Sequence, residues 1–119
     1  MIKPKTCKIR INRIRAKIYK NSAGDIYGFE IRSHGPGVVC AAVSMLAFNT
    51  VNSVENLTDA GFTCEYDEKS EGCLDFQIKA IAAGERPHDA GLLLKSLELG
   101  LFSVKRQYGR SIDIKIIYD

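Results

Sequence analysis

Apolar and polar residues alternate one for one in five stretches of this chain, and two long segments between them carry helical spacing. Ile9, Ile11, Ile14, Ala16 and Ile18 alternate with charged or polar residues, apart from a phase slip at Asn12-Arg13. That pattern predicts a strand carrying a bulge, or a flexible arm that runs into a strand. The turn cluster NSAGD (21–25) comes next. Tyr27, Phe29 and Ile31 then alternate with Gly28, Glu30 and Arg32, so the first two strands are expected to pair as a hairpin.

SHGPG (33–37) breaks the pattern, and Val38 to Leu57 reads as a helix. Val39, Val43, Leu46, Val54 and Leu57 fall close to one arc at about 100° per residue, which predicts the buried stripe. Cys40, Ser44, Ala47 and Val51 form a second stripe beside it, at the margin of the core. Asp59-Ala60-Gly61 ends the helix. Phe62, Cys64 and Tyr66, the polar turn EKSEG, and Leu74, Phe76 and Ile78 then predict a second hairpin.

AAGERPHD (82–89) leads into a second helix, with Pro87 and Asp89 suited to its first turn. Its buried stripe is expected to be Leu93, Leu97, Leu101, Val104 and Tyr108, with Lys95, Glu98, Lys105 and Arg106 on the wet side. Gly100 interrupts this helix at a cost of about 1 kcal/mol relative to alanine. A close helix-to-helix approach would explain it. YGR (108–110) turns the chain into a last strand through Ile112, Ile114 and Ile116. The order is ββαββαβ: an α+β fold with two long helices on one face of a mainly antiparallel sheet. It is expected as one domain over 13–119, preceded by a basic arm or strand extension over 1–12.

Composition agrees with that picture. The chain has 119 residues, 45% hydrophobic and 26% charged, as in a soluble globular domain. Asn49, Thr50, Asn52 and Glu55 interrupt the apolar run of the first helix, which argues against a membrane span. The basic N-terminus lacks the apolar core of a signal peptide, so the expected compartment is the cytoplasm. Net charge is only +3, yet eight of the seventeen Lys and Arg fall in the first twenty residues. Such an arm suits a charged edge strand protected from aggregation, or else RNA or a ribosomal surface.

Four cysteines, Cys7, Cys40, Cys64 and Cys73, include no CxxC pair and are expected as reduced thiols. Cys64 and Cys73 fall on consecutive strands and could face each other. With only His88 left as a further ligand, no metal site and no cofactor is expected. His88 itself reads as a polar residue near the start of the second helix.

SHGPGVVCAAVSML (33–46) holds the candidate chemistry. A thiol is a nucleophile as thiolate, and a helix N-terminus or a nearby imidazole favours that form. Cys40 falls in the first turn of the first helix, where unpaired N–H groups can also receive an oxyanion. His34 sits just before it, on a loop loosened by Gly35 and Gly37, and Ser44 lies one turn below. Two readings fit these residues: a nucleophile with its base, or a turn feeding a core helix with a buried cysteine.

VCAAVSML resembles the signature of the ribosomal-processing cysteine proteases (Prp, or YsxB-like, family). IYGFEIRSHG is similar to that family's second strand and its Gly/His turn. LLLKSLELGLFSVKRQYGRSIDI is similar to its second helix and closing strand, so the resemblance spans about residues 13–118. It implies a cytoplasmic homodimer that removes a short N-terminal extension from a large-subunit ribosomal protein, the twenty-seventh in the standard list. It also implies Cys40 as nucleophile, His34 as general base, Ser44 as supporting hydroxyl, and Gly35 and Gly37 in the substrate loop. Two departures stand out. Only six positions separate His34 from Cys40, where the family has a longer glycine-rich loop, and Gly37 replaces its usual acidic residue. An alternative function is therefore a non-catalytic ribosome- or RNA-associated protein of the same fold.

Overall fold

A computed structural model describes residues 13–32, 37–67 and 72–118; the basic arm of residues 1–12 lies outside them. Strands β1 (Ile14–Lys20) and β2 (Ile26–Arg32) are followed by helix α1 (Gly37–Leu57). Strands β3 (Thr63–Asp67) and β4 (Cys73–Gln77) come next, then a short helix α2 (Lys79–Ala82). Helix α3 (His88–Tyr108), a 3-10 turn (Gly109–Ser111) and β5 (Ile112–Tyr118) complete the chain.

The sheet order is β3-β4-β2-β1-β5. Both expected hairpins form, and β2 and β4 also pair antiparallel. β5 alone runs parallel to its neighbour β1, because α3 carries the chain back across the sheet before the last strand begins. Side chains of alternating positions define one apolar face. Ile14, Ala16, Ile18, Phe29, Ile31, Leu74, Phe76 and Ile112 are buried there under the two long helices. Phe76 stacks on Phe29 at 5.2 Å and meets Phe62 at 5.1 Å, forming an aromatic centre.

The helix stripes differ in detail from those expected. In α1 the buried line is Val39, Val43, Ala47, Thr50 and Val54. Ala47 thus belongs to the core rather than to the flank, and Leu57, the last residue of the helix, is 70% exposed. Thr50 is tolerated in the core because its hydroxyl donates to Leu46 O at 2.8 Å. In α3 the buried line is Ala90, Leu94, Leu97, Leu101 and Val104; Leu93 only borders the core and Tyr108 emerges at the helix end. Of the expected wet side, Glu98 is only partly exposed and pairs with Lys20 at 3.0 Å.

Gly100 meets the expectation of close helix contact. A Cβ there would come within 2.9 Å of Leu46 on α1, so the missing side chain is what seats the two helices together. Lys105 finishes α3 by donating to Gly109 O at 3.1 Å and Ile112 O at 2.9 Å, which leads the chain into β5.

Among the described residues, no long helix covers the opposite face of the sheet. A row runs across it in register through Glu65, Asp75, Glu30, Lys17 and Lys115, acidic at one end and basic at the other. Partial burial raises the Asp75 carboxyl above its ordinary value; a hydrogen bond from Gln77 opposes this, while Glu30 and Glu65 add to it. A raised carboxyl favours the folded state only while protonated, so its contribution falls as pH rises through the carboxylate range. Asp75→Asn is accordingly expected to stabilise the protein by about 0.5 kcal/mol at neutral pH, since it removes like charge between directly opposed residues. Urea melts should show the gain at pH 7 and its disappearance below the carboxylate range. An equal gain at both pH values would assign the effect to something other than charge.

Candidate functional site

The described part of the site is built on the first turns of α1. Gly37 opens the helix and Cys40 completes its first turn, so the thiol sits among the N–H groups that have no acceptor within the helix. The first turn contains no acidic side chain. His34 and Gly35 lie outside the described residues. At Gly37 a Cβ would meet nothing within 4 Å, so packing does not demand glycine there.

Cys40 stands one residue round from buried Val39, on the edge of the core and partly exposed. The margin position expected from the helical wheel is where the thiol lies. Ser44 follows one turn later on the same flank, with Oγ 3.9 Å from Cys40 Sγ, and either group can donate across that contact. The flank continues to Phe48, whose ring meets Tyr66 of β3 edge-on at 5.8 Å. The spacing of Ser44 and Phe48 was visible in the sequence, but nothing there linked Phe48 to Tyr66.

The other described cysteines, Cys64 and Cys73, sit in different surroundings. Cys64 pairs across the hairpin with Phe76, and Cys73 with Asp67, so the two do not face each other; both are free thiols. Burial of the sulfur, together with Asp75 and Glu55, pushes the Cys64 thiol up. Burial pushes up Cys73 as well, helped by Glu30 and only partly offset by Arg32. Both therefore hold their protons more tightly than an ordinary thiol.

His88 cannot serve Cys40. It is the first residue of α3, 85% exposed at its side chain, with Nδ1 2.9 Å from Asp89 Oδ1. It lines a cleft with Leu57, at the far end of α1, and seventeen residues of helix separate Leu57 from Cys40. That is about 25 Å along the axis. Among the described residues, no group of three His, Cys, Asp or Glu side chains gathers to hold a metal ion.

Comparison with known proteins bears on this arrangement. The family model described as cysteine protease Prp matches residues 13–113. Three solved structures share the fold. SMU.848 from Streptococcus mutans is 25% identical with a TM-score of 0.77, the match covering 90% of this chain and 96% of that one. The essential ribosomal processing protease Prp from S. aureus, in complex with a covalently linked product peptide, is 23% identical with a TM-score of 0.74. That match covers 87% of this chain and 98% of the other. The same protease with a substrate peptide gives 20% identity and a TM-score of 0.73 over equal shares. No curated protein matches the chain.

Proposed function

We propose, from the premise that this chain belongs to the cysteine protease Prp family, that it is itself a cysteine endopeptidase with Cys40 as its nucleophile. One observation carries the reading. Cys40 is a partly exposed thiol in the first turn of a long helix, at the margin of the core beside the buried stripe and backed by Ser44. A cysteine kept only as a small apolar residue would belong on that stripe.

In this reading His34 takes the proton from Cys40, and the helix N-terminus stabilises the thiolate. Sγ attacks the scissile carbonyl carbon, and the first-turn N–H groups donate hydrogen bonds to the developing oxyanion. The C–N bond breaks as the imidazolium returns a proton to the leaving amine, which leaves a thioester on Cys40. Water, deprotonated by His34, attacks that thioester; the carboxylate product departs and the thiol is restored. Ser44 orients the sulfur. Gly35, and Gly37 at the start of α1, are the glycines that serve the substrate in this reading. The substrate is the N-terminal extension of a large-subunit ribosomal protein, cut in the cytoplasm by a homodimer. Relatives in S. aureus bear peptides as substrate and as covalently linked product, which supports a peptide as ligand here.

The test is incubation of the full chain with a synthetic peptide of that extension, followed by mass spectrometry. Two fragments split at one internal bond are expected. An intact peptide after prolonged incubation would contradict the reading.

A second reading is supported by the eight cationic residues within the first twenty and by the short His34–Cys40 spacing. It makes the protein a non-catalytic ribosome- or RNA-binding member of the fold. Its prediction is affinity for RNA that falls steeply with salt, with the slope lost on deleting residues 1–12. An RNA affinity unaltered by that deletion would remove the arm from any such role.

A further inference from the structure

We propose that Phe48 and Tyr66 form a specificity subsite that grips a bulky apolar side chain of the peptide, three to four residues from the bond that is cut. The inference deepens the protease reading and rests on it.

Cys40, Ser44 and Phe48 occupy successive turns of α1, so they form an inclined row leading away from the thiol. Phe48 lies eight residues beyond Cys40, about 12 Å along the helix axis. An extended peptide advances at most about 3.3–3.6 Å per residue. A substrate with its scissile carbonyl at Cys40 Sγ therefore brings its third or fourth residue over Phe48.

At that point the row widens into an aromatic pair. The rings meet edge to face at 66°, and Phe48 remains 42% and Tyr66 53% exposed. An exposed edge-to-face pair leaves one ring face and one edge open to a third apolar group. Tyr66 belongs to β3, whose five residues are all exposed and which closes one side of the sheet. Among the described residues no strand pairs with the outer edge of β3, and an extended chain lying there has main-chain groups to pair with. Other exposed apolar side chains do not share this placement. Met45 lies off the Cys40–Ser44–Phe48 row, and Leu99 belongs to α3.

A library of short randomised peptides tests the proposal, with cleavage sites read by mass spectrometry. Wild type is expected to yield fragments enriched in bulky apolar residues three or four positions from one new terminus. Phe48→Ala should erase that enrichment. For one matched peptide it should raise KM about tenfold and leave kcat within about twofold, the split expected for lost ground-state binding. Tyr66→Val, which keeps the strand's β-branched preference, should act in the same direction. A peptide with alanine at that position should be cut equally by all three proteins. Enrichment retained in both variants, or equal loss on both peptides, would overturn the subsite.

Capture of the same library on immobilised Cys40→Ala chain separates this idea from the protease reading. If wild type cuts nothing while captured peptides are apolar-enriched in a Phe48-dependent way, the subsite holds and the protease reading fails. Capture with no such enrichment overturns the subsite.

Discussion

Cys40→Ala is expected to lower peptide cleavage by at least about a thousandfold, because the account routes both bond-making steps through one sulfur. The fold should be indifferent to the change. Cys40 is only partly buried, and alanine fits the same helical turn with a better intrinsic propensity. Thermal melts of the variant should therefore track wild type, so lost activity will report chemistry rather than unfolding. His34→Ala should cost a comparable factor, and the double variant little more than either alone, since residues acting as one unit are not additive. Activity that survives Cys40→Ala, or that is lost equally on substituting Cys64 or Cys73, would move the nucleophile elsewhere. The environment already argues against the latter pair, whose thiols are pushed up by burial and by neighbouring carboxylates.

The largest expected loss of stability lies far from that thiol, at Gly28. This residue sits in central strand β2, opposite Tyr19 on one side and Gln77 on the other. A Cβ placed on it would overlap the Phe76 carbonyl and crowd the Gln77 backbone. Backbone cannot step aside as a rotamer can, so β2 and β4 would have to part where the aromatic centre is anchored. Gly28→Ala should destabilise the domain by about 3 kcal/mol, at the upper end of overpacking costs. For a chain of this size that corresponds to a Tm lower by roughly 10 °C. Gly91 in α3 is the control. A Cβ there meets nothing within 4 Å, so Gly91→Ala should leave Tm unchanged or raise it through helix propensity. If both substitutions shift Tm alike, the close approach at Gly28 is not what the glycine serves.

Much of this fold could be read from the chain because its signals are local. The hairpins show as period-two alternation around polar turns, and α1 starts and stops within one residue of the expected bounds. Gly100 also spoke correctly, since a costly glycine inside a helix points to a close neighbour. What stayed hidden depends on partners distant in sequence. The parallel pairing of β5 with β1 brings together residues about a hundred positions apart. A register shift between Tyr19 and Lys20 places Tyr27 against Tyr19, where the two rings stack at 5.7 Å. Tyr27 still belongs to the core cluster with Phe29, as simple alternation expects. β3 carries the same alternation as β4 but is wholly exposed, because burial depends on how far the helices reach across the sheet. Leu57 fails as a core residue for the same reason: the helical arc continues past the end of its cover.

The site divides along similar lines. Cys40 and Ser44 on one flank follow from helix geometry alone, and their 3.9 Å contact agrees with it. The Phe48–Tyr66 pair needed the sheet to bring the edge strand β3 alongside α1. His34 and Gly35 belong to the segment outside the described residues, and the role of the imidazole rests on sequence and chemistry.

The most direct measurement is to catch the thioester. Wild-type protein is mixed with the extension peptide, quenched in acid before turnover is complete, and analysed by intact-mass and tandem mass spectrometry. The account predicts a mass increase equal to the N-terminal fragment less water, located on the peptide that contains Cys40 and missing from Cys40→Ala. Cleavage with no adduct at any quench time, and undiminished in Cys40→Ala, would contradict it.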